Sequence, residues 1–432
     1  MNMTLARPEA GDAQTAVVLL ANGVRVVTIP LPHLQTASVG VYVRAGSAHE
    51  PRALNGISHF VEHMVFKGTA GRDVHRINLD AECLGAEVNA HTDKDHTAYY
   101  MRGRGEHAAD FVHMLADIVQ HATFPEAELA REREVLLQEA IEVADDPMDT
   151  AYQLFDHACW GLHPAAQAVI GPRGNIERLQ RADLVRWVAR HYCGGNVVVV
   201  AAGPIDPDHI AREVEVAFGA LPQGQGEGVM PPVYAGGVRS RRLPGSSQTH
   251  LVLGFPIAGR SDDDPASELA AAVFGEGMSS PLLSELRERR GLVYHASCTA
   301  DRYDLCGQFV IEASVAPDKL DECLRELMKL LARQARATEA MDLQRARNQL
   351  AVRLLRDRDR PAQRMEQAAL DLFALGRVRP RDEQLARLDA VSAAGVSAVF
   401  QRLLAAGAAL ALAGHVGSGA AERARALVRP AA

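Results

Sequence analysis

A chain of 432 residues with 47% apolar and 23% charged residues has the make-up of a soluble globular protein, long enough for two to three domains with an ample core. Its formal net charge of −8 leaves no basic footprint for nucleic acid. The six cysteines, Cys83, Cys159, Cys193, Cys298, Cys306 and Cys323, are scattered without a C-x-x-C pair, so reduced thiols and a cytoplasmic setting are expected.

Residues 1–12 hold no positive segment followed by a long apolar stretch, and 17–21 is too short for a leader or a membrane span, so no membrane association is expected. Residues 17–20 and 24–29 flank Asn22-Gly23, a hairpin signal. Residues 37–44 read as a third strand, with Val39, Val41 and Val43 alternating toward one face. A loop over 46–55 leads into an apolar helix marked by Ser58, which carries His59, Glu62 and His63 in the pattern H-x-x-E-H. One turn of helix separates the two imidazoles, and Glu62 projects from the same face. Neutral imidazole suits a borderline-soft divalent ion such as zinc. A carboxylate beside the ion can take a proton from water that the ion acidifies. The surrounding Phe60, Val61, Met64, Val65 and Phe66 argue against a solvated helix, because ionisable groups amid hydrocarbon need partners.

Residues 72–84 read as a helix stopped by Gly85, 87–91 and 97–102 as a second strand pair, and 105–121 and 125–144 as helices. Glu132, Glu139 and Glu142 share a face of the last helix. Two imidazoles leave zinc short of a third protein ligand, so a carboxylate is required, but spacing does not choose among these three. Further helices are expected over 150–159, 176–193 and 208–218, with an almost wholly apolar strand over 196–202. Glycine and proline then crowd residues 221–237, the one credible linker.

The second half echoes the first. Gln35-Thr36 is answered by Gln248-Thr249 at a shift of 213, and the strand ending at Gly203 by one ending at Gly414 at a shift of 211. The helix around 184–192 falls over 396–404 in the same way. A duplication explains this, with a metal-bearing domain over 1–222, a linker over 223–237 and a homologous domain over 238–432. At a shift of 213, His59, Glu62 and His63 fall opposite Ala272, Gly275 and Glu276, so metal chemistry belongs to the first domain only.

The segment His59-Phe-Val-Glu-His-Met-Val-Phe-Lys-Gly-Thr69 resembles the pitrilysin or insulinase family of zinc metallopeptidases, which includes mitochondrial processing peptidase. The resemblance continues through residues 85–92, 132–139, 275–280 and 287–294, nearly the whole chain. It implies an α+β fold of two homologous domains, each a mostly antiparallel sheet with helices packed on one face. It also implies one zinc ion per chain held by His59, His63 and Glu139, with Glu132 as a supporting acid and Glu62 as general base. Arg287 and Tyr294 match the family's Arg/Tyr pair, donors to substrate carbonyls, and residues 275–277 its glycine-rich loop, with Glu276 in place of a more usual glycine. Asn89, Ala90, His91 and Thr92 match the edge strand that takes an extended peptide. His91 and His96 flank Thr92-Asp-Lys-Asp95, a spacing that raises a second metal site, although polar strand ends of this kind read as the solvent face of a hairpin.

By this resemblance the chain is expected to be a zinc endopeptidase for short or unfolded peptides. It is expected to act as a homodimer, since it carries both the zinc motif and the Arg/Tyr pair. The alternatives are a heterodimer with a homologous chain and a non-catalytic structural subunit; the complete set of His59, Glu62, His63 and Glu139 disfavours the latter.

Overall fold

The computed structural model describes residues 5–6, 15–262, 264–357 and 359–429. The reading of residues 1–12 as free of a leader therefore falls, apart from 5–6, outside the described residues. Two compact units are present. The first comprises Met1–Ala140, Gln167–Val229 and Arg356–Asp382; the second comprises Ile141–Ala166, Met230–Leu355 and Glu383–Ala432. The units are thus not contiguous halves of the chain, as the domain limits expected from the linker would have made them. Each takes in a segment from the other half.

The first unit is built on strands β1 (Leu5–Ala6), β2 (Ala16–Leu19), β3 (Arg25–Pro30), β4 (Thr36–Val43), β5 (Glu87–Thr92), β6 (Thr97–Arg104) and β7 (Val197–Gly203), in the spatial order β1-β2-β3-β7-β4-β6-β5. All pairings are antiparallel except β3 with β7. The second unit holds β8 (Gly237–Arg242), β9 (Thr249–Ile257), β10 (Val293–Arg302), β11 (Gly307–Val315) and β12 (Ala409–Gly414), in the order β10-β11-β9-β12-β8, with only β12 and β8 parallel. Read from the opposite end, this is the order β3-β7-β4-β6-β5 again, so the two units repeat one sheet.

The strand β7 shows why its sequence is apolar throughout. Val197, Val199 and Ala201 enter one core, with helices α1 (Ile57–Val65), α2 (Val74–Cys83) and α3 (Ala108–Gln120). Val198, Val200 and Ala202 enter a second core with Val27 and Ile29 of β3, beneath Met365, Ala368, Ala369, Leu372 and Phe373 of the Pro361–Leu375 helix. A strand buried on both faces has no polar side to alternate with. Beyond the helices expected on one face, a helix from late in the chain therefore seals the other. After α4 (Glu126–Asp145), helix α5 (Pro147–Trp160) does the same in the second unit, placing Ala151, Phe155, Ala158 and Trp160 against Val252, Val310, Ala409 and Ala411.

The single helix expected over 176–193 is two, Arg173–Arg178 and Arg181–His191. Gln180 is extended between them, and its backbone N–H donates to Asp183 Oδ2 at 2.9 Å in the first turn of the second. In the second unit, the helix that follows β9, Pro265–Gly275, stands where α1 stands in the first and carries no imidazole. Among the described residues no single helix is long and apolar enough to cross a membrane.

Candidate metal centre

The site is built on α1. This helix does not start from a Ser58 cap: its first turn begins at Ile57, after Gly56 in a left-handed conformation at φ 100°. A side chain at Gly56 would put its Cβ 2.8 Å from the Ile170 carbonyl oxygen. The N-terminal amides are instead satisfied by Glu50, a fully buried carboxylate that accepts from Gly56 N at 2.7 Å, Ser58 N at 2.8 Å and Asn55 Nδ2 at 2.8 Å. Glu50 escapes sequence reasoning because it lies upstream of the helix, separated by a loop, in no capping pattern. Burial of Ile57, Phe60, Val61, Met64 and Val65 fixes the rotation of α1 and leaves His59, Glu62 and His63 on its less buried side.

His59, Glu62 and His63 each offer a ligand atom within 4.8 Å of the others. Glu139, from α4, adds a carboxylate whose oxygens lie 3.7 Å from His59 Nε2 and 3.8 Å from His63 Nε2. These gaps are too wide for hydrogen bonds, whereas two atoms bound tetrahedrally to one zinc at about 2.0–2.1 Å lie roughly 3.4 Å apart. Glu132 stands one step back: its Oε1 accepts from His63 Nδ1 at 2.8 Å while its Oε2 pairs with Lys67 Nζ at 2.7 Å. That bond places the His63 proton on Nδ1 and leaves the Nε2 lone pair toward Glu139. The donor set therefore fits a zinc-type ion. Glu142, the third member of the acidic stripe, is exposed and belongs to the second unit.

Charge follows from these surroundings. Burial, with the neighbouring His63, pushes the His59 imidazole down to about 3, so its ring is neutral at ordinary pH. Burial also lowers His63, but the Glu132 hydrogen bond and the Glu62, Glu132 and Glu139 charges outweigh it, and the net shift is upward. Glu62 is raised, chiefly by burial, against the pull of Thr92, whose Oγ1 donates to Glu62 Oε2 at 2.7 Å. Burial would raise Glu132 as well, yet its bonds from His63 and Lys67 bring it below the usual carboxylate range.

Asn89, Ala90, His91 and Thr92 lie on β5, the outermost strand of the seven-stranded sheet, with its far edge unpaired by any described strand. Through Thr92 this strand touches Glu62 directly, a contact the sequence did not signal. His96, read as part of a solvent-facing hairpin end, is instead 1% exposed. The loop between β5 and β6 folds inward there, because Ala48 N donates to Lys94 O and the Lys94 ammonium bonds the Gln167 carbonyl.

Arg287 and Tyr294 come together in the second unit. The Arg287 guanidinium sits over the Tyr294 ring, 5.3 Å from its centroid, and Tyr294 is 84% exposed. Arg287 lies in a π-helical turn, Ser284–Arg289. In the preceding loop Gly277 has φ 83°, and a Cβ on Gly275 would come within 2.4 Å of Cys298 Cβ. Glu276 has an ordinary extended backbone and pairs with Arg353, so a side chain is tolerated at that place.

Comparison with known proteins gives the family and the fold. The profile of the family "Insulinase (Peptidase family M16)" matches residues 25–173, and that of the "Peptidase M16 inactive domain" matches residues 178–350. An "uncharacterized zinc protease" of Rickettsia bellii is 30% identical over 397 residues, 91% of this chain and 96% of the relative. The beta subunit of the mitochondrial-processing peptidase of Lentinula edodes is 33% identical over 267 residues, 62% of this chain and 55% of that one. A crystal structure of a peptidase M16 inactive domain from Pseudomonas fluorescens superposes with a TM-score of 0.86 at 23% identity, covering 93% of this chain and 98% of that one.

Proposed function

Because the chain belongs to the insulinase family, peptidase family M16, we propose that it is a zinc-dependent endopeptidase that hydrolyses short or unfolded peptides. The observation that carries this reading is the convergence of His59, His63 and Glu139 on one point, with Glu62 beside them.

In this reading His59, His63 and Glu139 hold the ion, and Glu132 orients His63. When bound, zinc supplies Lewis acidity, lowering the pKa of water and polarising a carbonyl. Glu62 takes the proton from the attacking water and later delivers it to the leaving amine. A carboxyl raised by burial and steadied by Thr92 is suited to both transfers. Residues 89–92 offer an extended substrate an open edge for main-chain hydrogen bonds, with Arg287 and Tyr294 as donors to substrate carbonyls and the developing oxyanion. Pairing of two chains as a homodimer belongs to the same reading.

Metal analysis of the purified chain and cleavage of an unstructured peptide, with and without chelator, test it. Zinc-dependent cleavage is expected, and Glu62→Gln should keep the zinc while losing at least about 10²-fold in rate. Cleavage that persists in the chelator, or full activity in Glu62→Gln, would refute the mechanism. Mixing Glu62→Gln with Arg287→Ala chains should recover activity if sites are shared in the dimer.

A further inference from the structure

A second cluster in the first unit repeats the chemistry of the first. His91 is the penultimate residue of β5, His96 immediately precedes β6, and Glu366 rises from the Pro361–Leu375 helix; each offers a ligand atom within 4.8 Å of the others. Glu366 Oε1 lies 3.6 Å from His91 Nε2 and 3.8 Å from His96 Nε2. Both gaps exceed a hydrogen bond, and a protonated imidazole would close on a carboxylate to about 2.7–2.9 Å. They match instead the spacing of atoms sharing one tetrahedral ion, as at His59, His63 and Glu139.

The buried member of the cluster supplies an independent sign. The His96 side chain is 2% exposed, and its Nε2 has no hydrogen-bond partner among the described residues. A buried polar nitrogen without a partner is costly, and this one is aimed at Glu366 and His91. Its other nitrogen, Nδ1, is held by Asp95 Oδ1 at 2.8 Å, the same distance at which Glu132 holds His63. A carboxylate behind a histidine fixes its tautomer and leaves Nε2 free to ligate. His91 and Glu366 are 39% and 40% exposed, which leaves room for water as a fourth ligand.

We propose that His91, His96 and Glu366 form a second site for a borderline-soft divalent cation of the zinc type, distinct from the centre on α1. An ion there ties the outer strand β5 to the Pro361–Leu375 helix. Through Thr92, the same strand touches Glu62.

The full-length chain, stripped of metal and dialysed against buffered Zn²⁺, tests this by its ion count. Glu366→Gln and His91→Asn alter half-exposed side chains and leave the core intact. Each should lose one bound ion that the His59→Asn/His63→Asn double variant keeps, and Co²⁺ should report the same loss by its visible absorption. Asp95→Asn should weaken that ion by about 10- to 100-fold. In wild type, but not in Glu366→Gln, amide exchange along residues 89–92 should slow as this ion binds. The proposal is overturned if no bound ion depends on His91 and Glu366, whatever the count at the α1 centre, or if a proton holds the cluster and Zn²⁺ does not displace it at pH 8.

Discussion

Replacing Glu132 by glutamine keeps the side chain's volume, removes its charge and leaves two donors competing for one acceptor. Glu132 serves those donors with two oxygens, His63 Nδ1 at 2.8 Å and Lys67 Nζ at 2.7 Å, on a side chain only 9% exposed. An amide has one oxygen. If it faces His63, the NH₂ confronts the Lys67 ammonium; if it faces Lys67, the NH₂ confronts His63 Nδ1 and drives the imidazole proton to Nε2, where the ion should bind. A hydrogen bond to a charged group contributes about 1.5–3 kcal/mol, which corresponds to roughly 10- to 100-fold in affinity. Zinc affinity, measured on the stripped chain by competition with a chromophoric chelator, is therefore expected to fall by that factor in Glu132→Gln. Adding Lys67→Met frees the amide oxygen for His63 and should restore part of the loss. Affinity within twofold of wild type would show that Glu132 does not set the His63 tautomer. A loss unchanged by Lys67→Met would refute the competition between the two donors.

Thr92→Val removes the hydroxyl that donates to Glu62 while keeping the shape of the side chain. The Glu62 carboxyl should rise further, so the acid limb of the kcat/KM profile for peptide cleavage should move to higher pH; an unmoved limb would remove Thr92 from the site. Burial pushes the His49 imidazole from 6.5 down to about 4. Its contribution to stability is full above 6.5 and is lost as pH falls through 4, at most about 3 kcal/mol. Urea unfolding of the metal-free chain at pH 7.5 and 4.5 should show a smaller acid loss in His49→Gln than in wild type, and equal losses would refute the assignment.

The sequence carried the part of the site that lies within one helix. His59, Glu62 and His63 are legible because three and four residues are about one turn, and the apolar residues between them mark a buried face. Glu139 was one of three acids on a stripe: spacing left the choice open, the family resemblance pointed to Glu139, and the coordinates put its oxygens near both imidazoles while Glu142 is exposed. Glu50 was invisible, because a carboxylate that caps a helix from across a loop leaves no periodic trace. His96 misled for the opposite reason: its polar neighbours suggested water, while their hydrogen bonds turn the loop inward. In the fold, the shifts of 213 and 211 forecast the repeated sheet, because Thr36 and Thr249 open equivalent strands β4 and β9. The apolar run of β7 is legible in the sequence and fits burial on both faces, yet helices were expected on one face only, because nothing local names the helix that covers the second, some 160 residues away.

That exchange of helices sets an order on synthesis. The hydrocarbon of Val27, Ile29, Val198 and Val200 waits for Phe373, so a sheet begun near the start of the chain cannot be capped until most of the protein has left the ribosome. A fragment ending at the glycine- and proline-rich stretch would present that bare surface to its neighbours and aggregate, and the complementary fragment would lack the cover that Phe155 and Trp160 supply. The two repeats mature jointly, each a hostage of the other's translation.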